Sequence, residues 1–307
     1  MEHKDFESPS FVKFREFHIE LNHYIKLSIA AIDNLLESKA DPQFEDKVNK
    51  LVRAAKEKWY GLRILNPVGE LYNLRVQLTK TGVMWVYSAF DVFLNHVNSV
   101  CSQKEAEEFD ESIVDTGIES MRLKTLYEKY SWSMDSISYL EIVYDYYSLA
   151  RHSIVHNMGK ASQELIKIAE SKEFGYAMEY WPTVNPAGKL SPPPIIDEAG
   201  YMTLNPHHAI TYSDVCYRIS KDINHHLLTH LGVSHFVKRT VKNRILDTTS
   251  LEGIRCKDVY RYIRHYAKID WKLDGIEDAS LRTMLEELGI RRKVISKYKT
   301  LIANDRR

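Results

Sequence analysis

"SYLEIVYDYYSLARHSIVHNMGK", residues 138–160, decides the fold. At 100° per residue, Leu140, Val143, Tyr147, Ala150 and Ile154 share one stripe, spaced like the seam of a helix bundle. Glu141, Asp145, Ser148, His152 and His156 form a second, polar stripe roughly opposite. The apolar stripe is too long to stand in water, so other helices must cover it. The run ends at Asn157, Met158 and Gly159, where Asn and Gly tolerate the left-handed conformation of a helix end.

Working outward, the same three-and-four spacing recurs. "PSFVKFREFHIELNHYIKLSIAAIDNLLES" reads as a helix opened by Ser8-Pro9, and "FEDKVNKLVRAAKEKWYGLRIL" as a second, broken by "NPVG". A third runs from Glu70 to about Ser102 with an interruption expected near Gly82. "AEEFDESIVDTGIESMRLKTLYEKY" precedes the opening stretch, and "KASQELIKIAESKEFGYAMEYW" follows it. Five of the nine prolines fall between Pro182 and Pro194, which predicts a loop there, with a small hairpin about Glu198-Ala199-Gly200. Asn205-Pro206 opens a helix running to Leu231 and stopped by Gly232. Three short helices are expected beyond it, the last two an αα-hairpin about Gly289, an outline shared with helix-turn-helix modules.

The fold class is therefore all-α: an up-and-down bundle with extra N-terminal helices, a Pro-rich insertion at 182–206 and a C-terminal helical module. The bundle domain spans 1–232 with its core at 70–232; the module spans 233–307. A chain of 307 residues buries about three-quarters of its unfolded surface, enough for such a core.

Net charge is zero, yet residues 238–307 hold eighteen Lys and Arg against ten Asp and Glu, a modest hint of a polyanionic partner. Cys101, Cys216 and Cys256 are three and widely spaced, which fits neither a disulfide framework nor a cysteine zinc site and suggests reduced packing residues. No run reaches the roughly 18 apolar residues of a membrane span, and the N-terminus has no secretory pattern, so a cytoplasmic protein without membrane contact is expected. Phosphate-cradling glycine loops are absent, which argues against an ATP-driven activity. His152/His156 and His226/His230 are H-x3-H pairs without the glutamate or cysteines of a zinc site, so no metal and no cofactor are expected.

The chemistry concentrates in "RHSIVHN". Arginine grips phosphate oxygens as a permanently charged fork, and histidine exchanges a proton near neutral pH. Together they meet part of what RNA cleavage through the 2′-hydroxyl requires: a base, an acid and positive charge on the phosphorane. On a regular helix Arg151 and His156 lie about 140° apart, so the break at 157–159 is expected to bring them closer. One histidine does not readily serve as base and acid together; a two-fold dimer supplies a second.

R-x4-H followed by asparagine, late in a helical bundle, resembles the HEPN superfamily. That resemblance implies an up-and-down bundle that dimerises and cuts RNA without metal, often as a toxin or antiviral effector held by an antitoxin or other regulatory partner. It implies Arg151 and His156 as the catalytic pair, with His152 in the polar slot after the arginine and Asn157 beside the histidine. Asp145 is a candidate to orient the histidines from the same stripe, and Glu141 shares that position. A non-catalytic adaptor that uses the same pocket for a nucleotide or protein is the alternative. Arg218 and His225 form a weaker near-match in mid-helix, and Asp91 is an acid amid apolar residues that either orients a cation or lies on an exposed edge.

Overall fold

Proline or glycine marks several helix ends, among them Pro9, Pro67, Pro206 and Gly232. The computed structural model describes residues 5–55, 63–102, 121–184, 191–251, 256 and 258–304. Among these residues are twelve α-helices and no strand, so the class is all-α. Pro9 opens α1 (Pro9–Leu36), which is followed by α2 (Phe44–Ala54) and α3 (Pro67–Ser102). α4 (Leu123–Lys129) and a 3₁₀ turn at Asp135–Ile137 lead into α5 (Ser138–His156), then α6 (Gln163–Ala169), α7 (Lys172–Val184) and α8 (Pro206–Leu231). Gly232, at φ +79°, separates α8 from α9 (Val233–Val241), and α10 (Val259–Trp271), α11 (Asp278–Glu287) and α12 (Arg291–Asn304) complete the chain. The C-terminal stretch thus holds four described helices rather than three. Much of the helix expected at 106–130 lies outside the described residues, as does part of the second.

Two local expectations change. α3 runs through Gly82 without interruption, because that glycine serves packing: a Cβ built there would stand 2.7 Å from Ala209 Cβ and 3.3 Å from Ile25 Cδ1. Pro182 lies inside α7, in its last turn, so the helix reaches into the Pro-rich segment. The small hairpin is present as an isolated bridge, Ile196 to Met202, closed by Asp197 and Gly200 with Gly200 at φ +84°.

The chain divides into two compact units. One, the C-terminal unit, comprises the described parts of Met1–Lys13, Phe93–Trp132 and Ser220–Arg307. Here Phe236 packs against both Phe6 and Trp271 with tilted rings, and Trp271 Nε1 donates to Thr240 Oγ1 at 2.9 Å. Arg244 forks onto Asp270 and covers the Tyr266 ring. Gly289, at φ +66°, turns α11 into α12.

The other, the Arg151 unit, comprises the described parts of Phe14–Val92 and Ser133–Ile219. An aromatic chain links four helices: Phe14 of α1 meets Phe90 of α3, Phe90 meets Tyr144 of α5, and Tyr144 and Tyr147 meet Tyr212 of α8. Contact partners rise along α1 as they fall along α3, from Phe14–Phe90 through Tyr24–Trp85, and likewise between α3 and α5, from Phe90–Tyr144 to Tyr87–Arg151. Those three helices therefore alternate in direction. Ile32, Leu36, Phe44, Val48, Leu71 and Leu78 close one end as a second apolar cluster. Among the described residues no helix is long and apolar enough to cross a membrane.

Candidate functional site

α5 forms because its whole apolar stripe has somewhere to go. Leu140, Val143, Tyr147, Ala150 and Ile154 are all buried, and α6 and α7 pack against the same helix. Tyr146 is buried as well, stacked on Phe174 and donating its hydroxyl to the Pro194 carbonyl. Burial pushes the Tyr144, Tyr146 and Tyr147 phenols well above their ordinary value, so these groups remain neutral packing residues.

The opposite stripe carries the chemistry. His152 and His156 are exposed, with ring centroids 4.6 Å apart and planes tilted by 45°. They are one helical turn apart, so the backbone itself holds the pair together. Arg151 points elsewhere. Its guanidinium carbon lies 4.5 Å from the centre of the Tyr87 ring on α3, and its Nε is enclosed with no hydrogen-bond partner.

The break expected to unite Arg151 with His156 comes one residue too late. α5 stays helical to His156; Asn157 has φ −118°, and the left-handed residues are Met158 (φ +54°) and Gly159 (φ +90°). Arg151 and His156 thus keep about 140° and about 7.5 Å of axial separation within one chain. What the break does is end the helix: the amides of Asn157 and Gly159 both donate to the Ser153 carbonyl at 3.0 Å. Asn157 is an exposed C-cap.

The segment beyond is anchored. Ala161 N–H donates to the Gly200 carbonyl at 2.8 Å and Met202 N–H to Gly159 at 3.3 Å, so the small hairpin buttresses the end of α5. Ser162 caps α6 by accepting from Leu165 N–H at 3.2 Å, and its own amide donates to Ser153 Oγ. Glu164 follows; its carboxyl is held below the usual range by its own backbone N–H and the Ser162 hydroxyl, with the His152 imidazole among the weaker contributors. Lys80 of α3 brings its ammonium beside Gly159. Neither Tyr87 nor Lys80 shares a local pattern with 151–156, so periodicity does not point to either.

The remaining candidates separate from this group. Asp145 is exposed and about 16 Å from His156 along the axis, so it does not orient that ring. Asp91 is half-buried on α3. Arg218 is held by Asp214, 2.6 Å away one turn before it. In the C-terminal unit His226 stacks on Trp132 at 5.3 Å with Nε2 3.3 Å from Asp222, while His230 meets Tyr130 and Trp132 edge-on. Among the described residues no three His, Cys, Asp or Glu converge as metal donors. Cys101 and Cys216 are buried.

No protein-family model, curated protein or solved structure matches the chain.

Proposed function

We propose that the chain is an endoribonuclease of the HEPN type, cutting RNA through its 2′-hydroxyl without a metal, and that it acts as a homodimer in a toxin or antiviral role under a regulatory partner. The observation that supports this most is the exposed imidazole pair of His152 and His156, 4.6 Å apart, on a helix that also carries Arg151. One imidazole takes the 2′-OH proton, the 2′-oxygen attacks phosphorus, and the 5′-oxygen leaves with a proton from the other. The products are a 2′,3′-cyclic phosphate and a 5′-hydroxyl. Arg151 neutralises the phosphorane, either by swinging off Tyr87 or by reaching the site of a second protomer.

Purified protein is expected to cut RNA in the presence of a chelator and to leave cyclic phosphate ends. His156→Ala and Arg151→Ala should each abolish cutting with helicity intact; retention of full activity by both would sink the assignment. A second reading, a non-catalytic HEPN-like adaptor, is favoured by one feature: Arg151 is seated on Tyr87, away from His156. Host growth separates the two, because the parent should slow a bacterial host and His156→Ala should not.

A further inference from the structure

A cavity of about 750 Å³ opens in the Arg151 unit among the 3₁₀ turn, the first two turns of α5 and the start of α7. Three tyrosines wall it. Tyr139 and Tyr180 meet edge to face with centroids 5.2 Å apart, and Tyr176 and Tyr180 leave 67% and 47% of their surfaces in solvent. Asp135, Glu141, Asp145 and Glu173 also line the space, and no Lys, Arg or His does so among the described residues. Asp135, Glu141 and Glu173 make no ion pair among the described residues.

We propose that this cavity binds a linear organic polyamine. The carboxylates alone would be an ordinary solvated helix face; the tyrosines are what make the space a receptor. A ring face is negative, as is a carboxylate, so a cation is attracted by both kinds of wall. Glu141 and Asp145 stand one turn apart, about 6 Å along the axis, which matches ammonium groups separated by three or four methylenes. Those methylenes would lie on the rings and on Ile142 and Ala177, contacts that a hydrated metal ion does not make. The space is an open groove whose volume lies in the range of small-ligand sites. This site goes beyond the ribonuclease reading and stands without it. Asp145 lines this space and stands about 16 Å from His156 along the helix axis.

The test is calorimetry on the full chain with spermine as the probe, without RNA, at physiological ionic strength. Saturable one-site binding is expected, weakened about three- to tenfold by Tyr180→Leu and up to about fivefold by Glu141→Gln. Glu20→Gln, an exposed acid on α1, should bind like the parent. Because Tyr180 is exposed, its variant should fold, and helicity by circular dichroism checks this. If Mg²⁺ at equal ionic strength displaces spermine fully, or Tyr180→Leu binds like the parent, only counterion accumulation is present and the proposal fails. It fails equally if a lysine-rich peptide saturates the cavity while spermine does not.

Discussion

The same substitution at two helical glycines should have opposite signs. At Gly82, alanine gains about 0.8–1 kcal/mol of helix propensity. Its Cβ, however, would stand 2.7 Å from Ala209 Cβ, against the about 3.5–4.0 Å at which carbon atoms rest. α3 and α8 must then part by about an ångström, with Ile25 Cδ1 closing the other side at 3.3 Å. Overpacking of that kind costs about 1–3 kcal/mol, so the net expectation is a loss of up to about 2 kcal/mol. Thermal unfolding should fall by up to about 8 °C. Gly175 of α7 has nothing within 4 Å of the corresponding Cβ, so Gly175→Ala should gain about 0.5–1 kcal/mol and raise the midpoint. A double variant, Gly82→Ala with Ala209→Gly, should recover about 1 kcal/mol relative to the sum of the single changes. Circular dichroism melts of the parent, the three single variants (Gly82→Ala, Ala209→Gly and Gly175→Ala) and the double variant decide the matter; if Gly82→Ala stabilises as Gly175→Ala does, the close crossing of α3 and α8 is wrong.

Other expectations concern acid, the arginine, the anchor beyond α5 and the dimer. His208 is buried and accepts the Asn205 N–H on Nδ1 at 3.0 Å; desolvation first, then the neighbouring His207 charge, push it down to about 4. A histidine so depressed costs stability as pH falls from about 6.5 to about 4, by up to about 3 kcal/mol, and His208→Gln should flatten that limb in a denaturant titration. Arg151→Ala should lose about 1–2 kcal/mol because the side chain covers Tyr87, and Arg151→Met less, which lets chemical denaturation separate packing from catalysis. Ser162→Ala removes the α6 cap and should cost about 1 kcal/mol, with faster amide exchange at Leu165. On the ribonuclease reading with the arginine reaching a second protomer's site, mixing Arg151→Met with His156→Ala should restore cutting in mixed dimers; no recovery, with mixed dimers verified, would place the whole site in one protomer.

Most of the helical framework was legible because burial imposes a period on the sequence. Leu140, Val143, Tyr147, Ala150 and Ile154 repeat at three and four and all reach the core. Gly232 and Pro206 mark the ends of α8 for reasons of backbone geometry alone. What stayed hidden was the function of residues whose role is set by another helix. A glycine in a helical run reads as a weak point, yet Gly82 is where α3 meets Ala209 and Ile25. Pro182 reads as a terminator; it gives up one hydrogen bond and crowds the carbonyl four residues back, but only two residues of α7 follow it, so little helix is disturbed. The tyrosines of α7 at 176 and 180 share a face by periodicity; only the approach of α5 turns that face into a cavity wall.

The candidate site was legible as an ordering of side chains and not as a set of partners. Arg151 and His156 belong to different faces of one unbroken helix, and Tyr87 claims the arginine from across the bundle. On the ribonuclease reading, this alters what a second protomer is needed for. Symmetry entered because a single histidine does not readily act as base and acid in one step. With His152 4.6 Å from His156, two imidazoles already stand on one chain, so proton transfer no longer demands a partner. Charge on the phosphorane does, unless Arg151 leaves the Tyr87 ring, and leaving forfeits about 0.5–2 kcal/mol of cation–π contact. Bound phosphate offers the guanidinium a bidentate, fully charged acceptor in exchange, a stronger partner than an aromatic face. The resting position on Tyr87 is therefore compatible with an arginine that engages only when RNA is present.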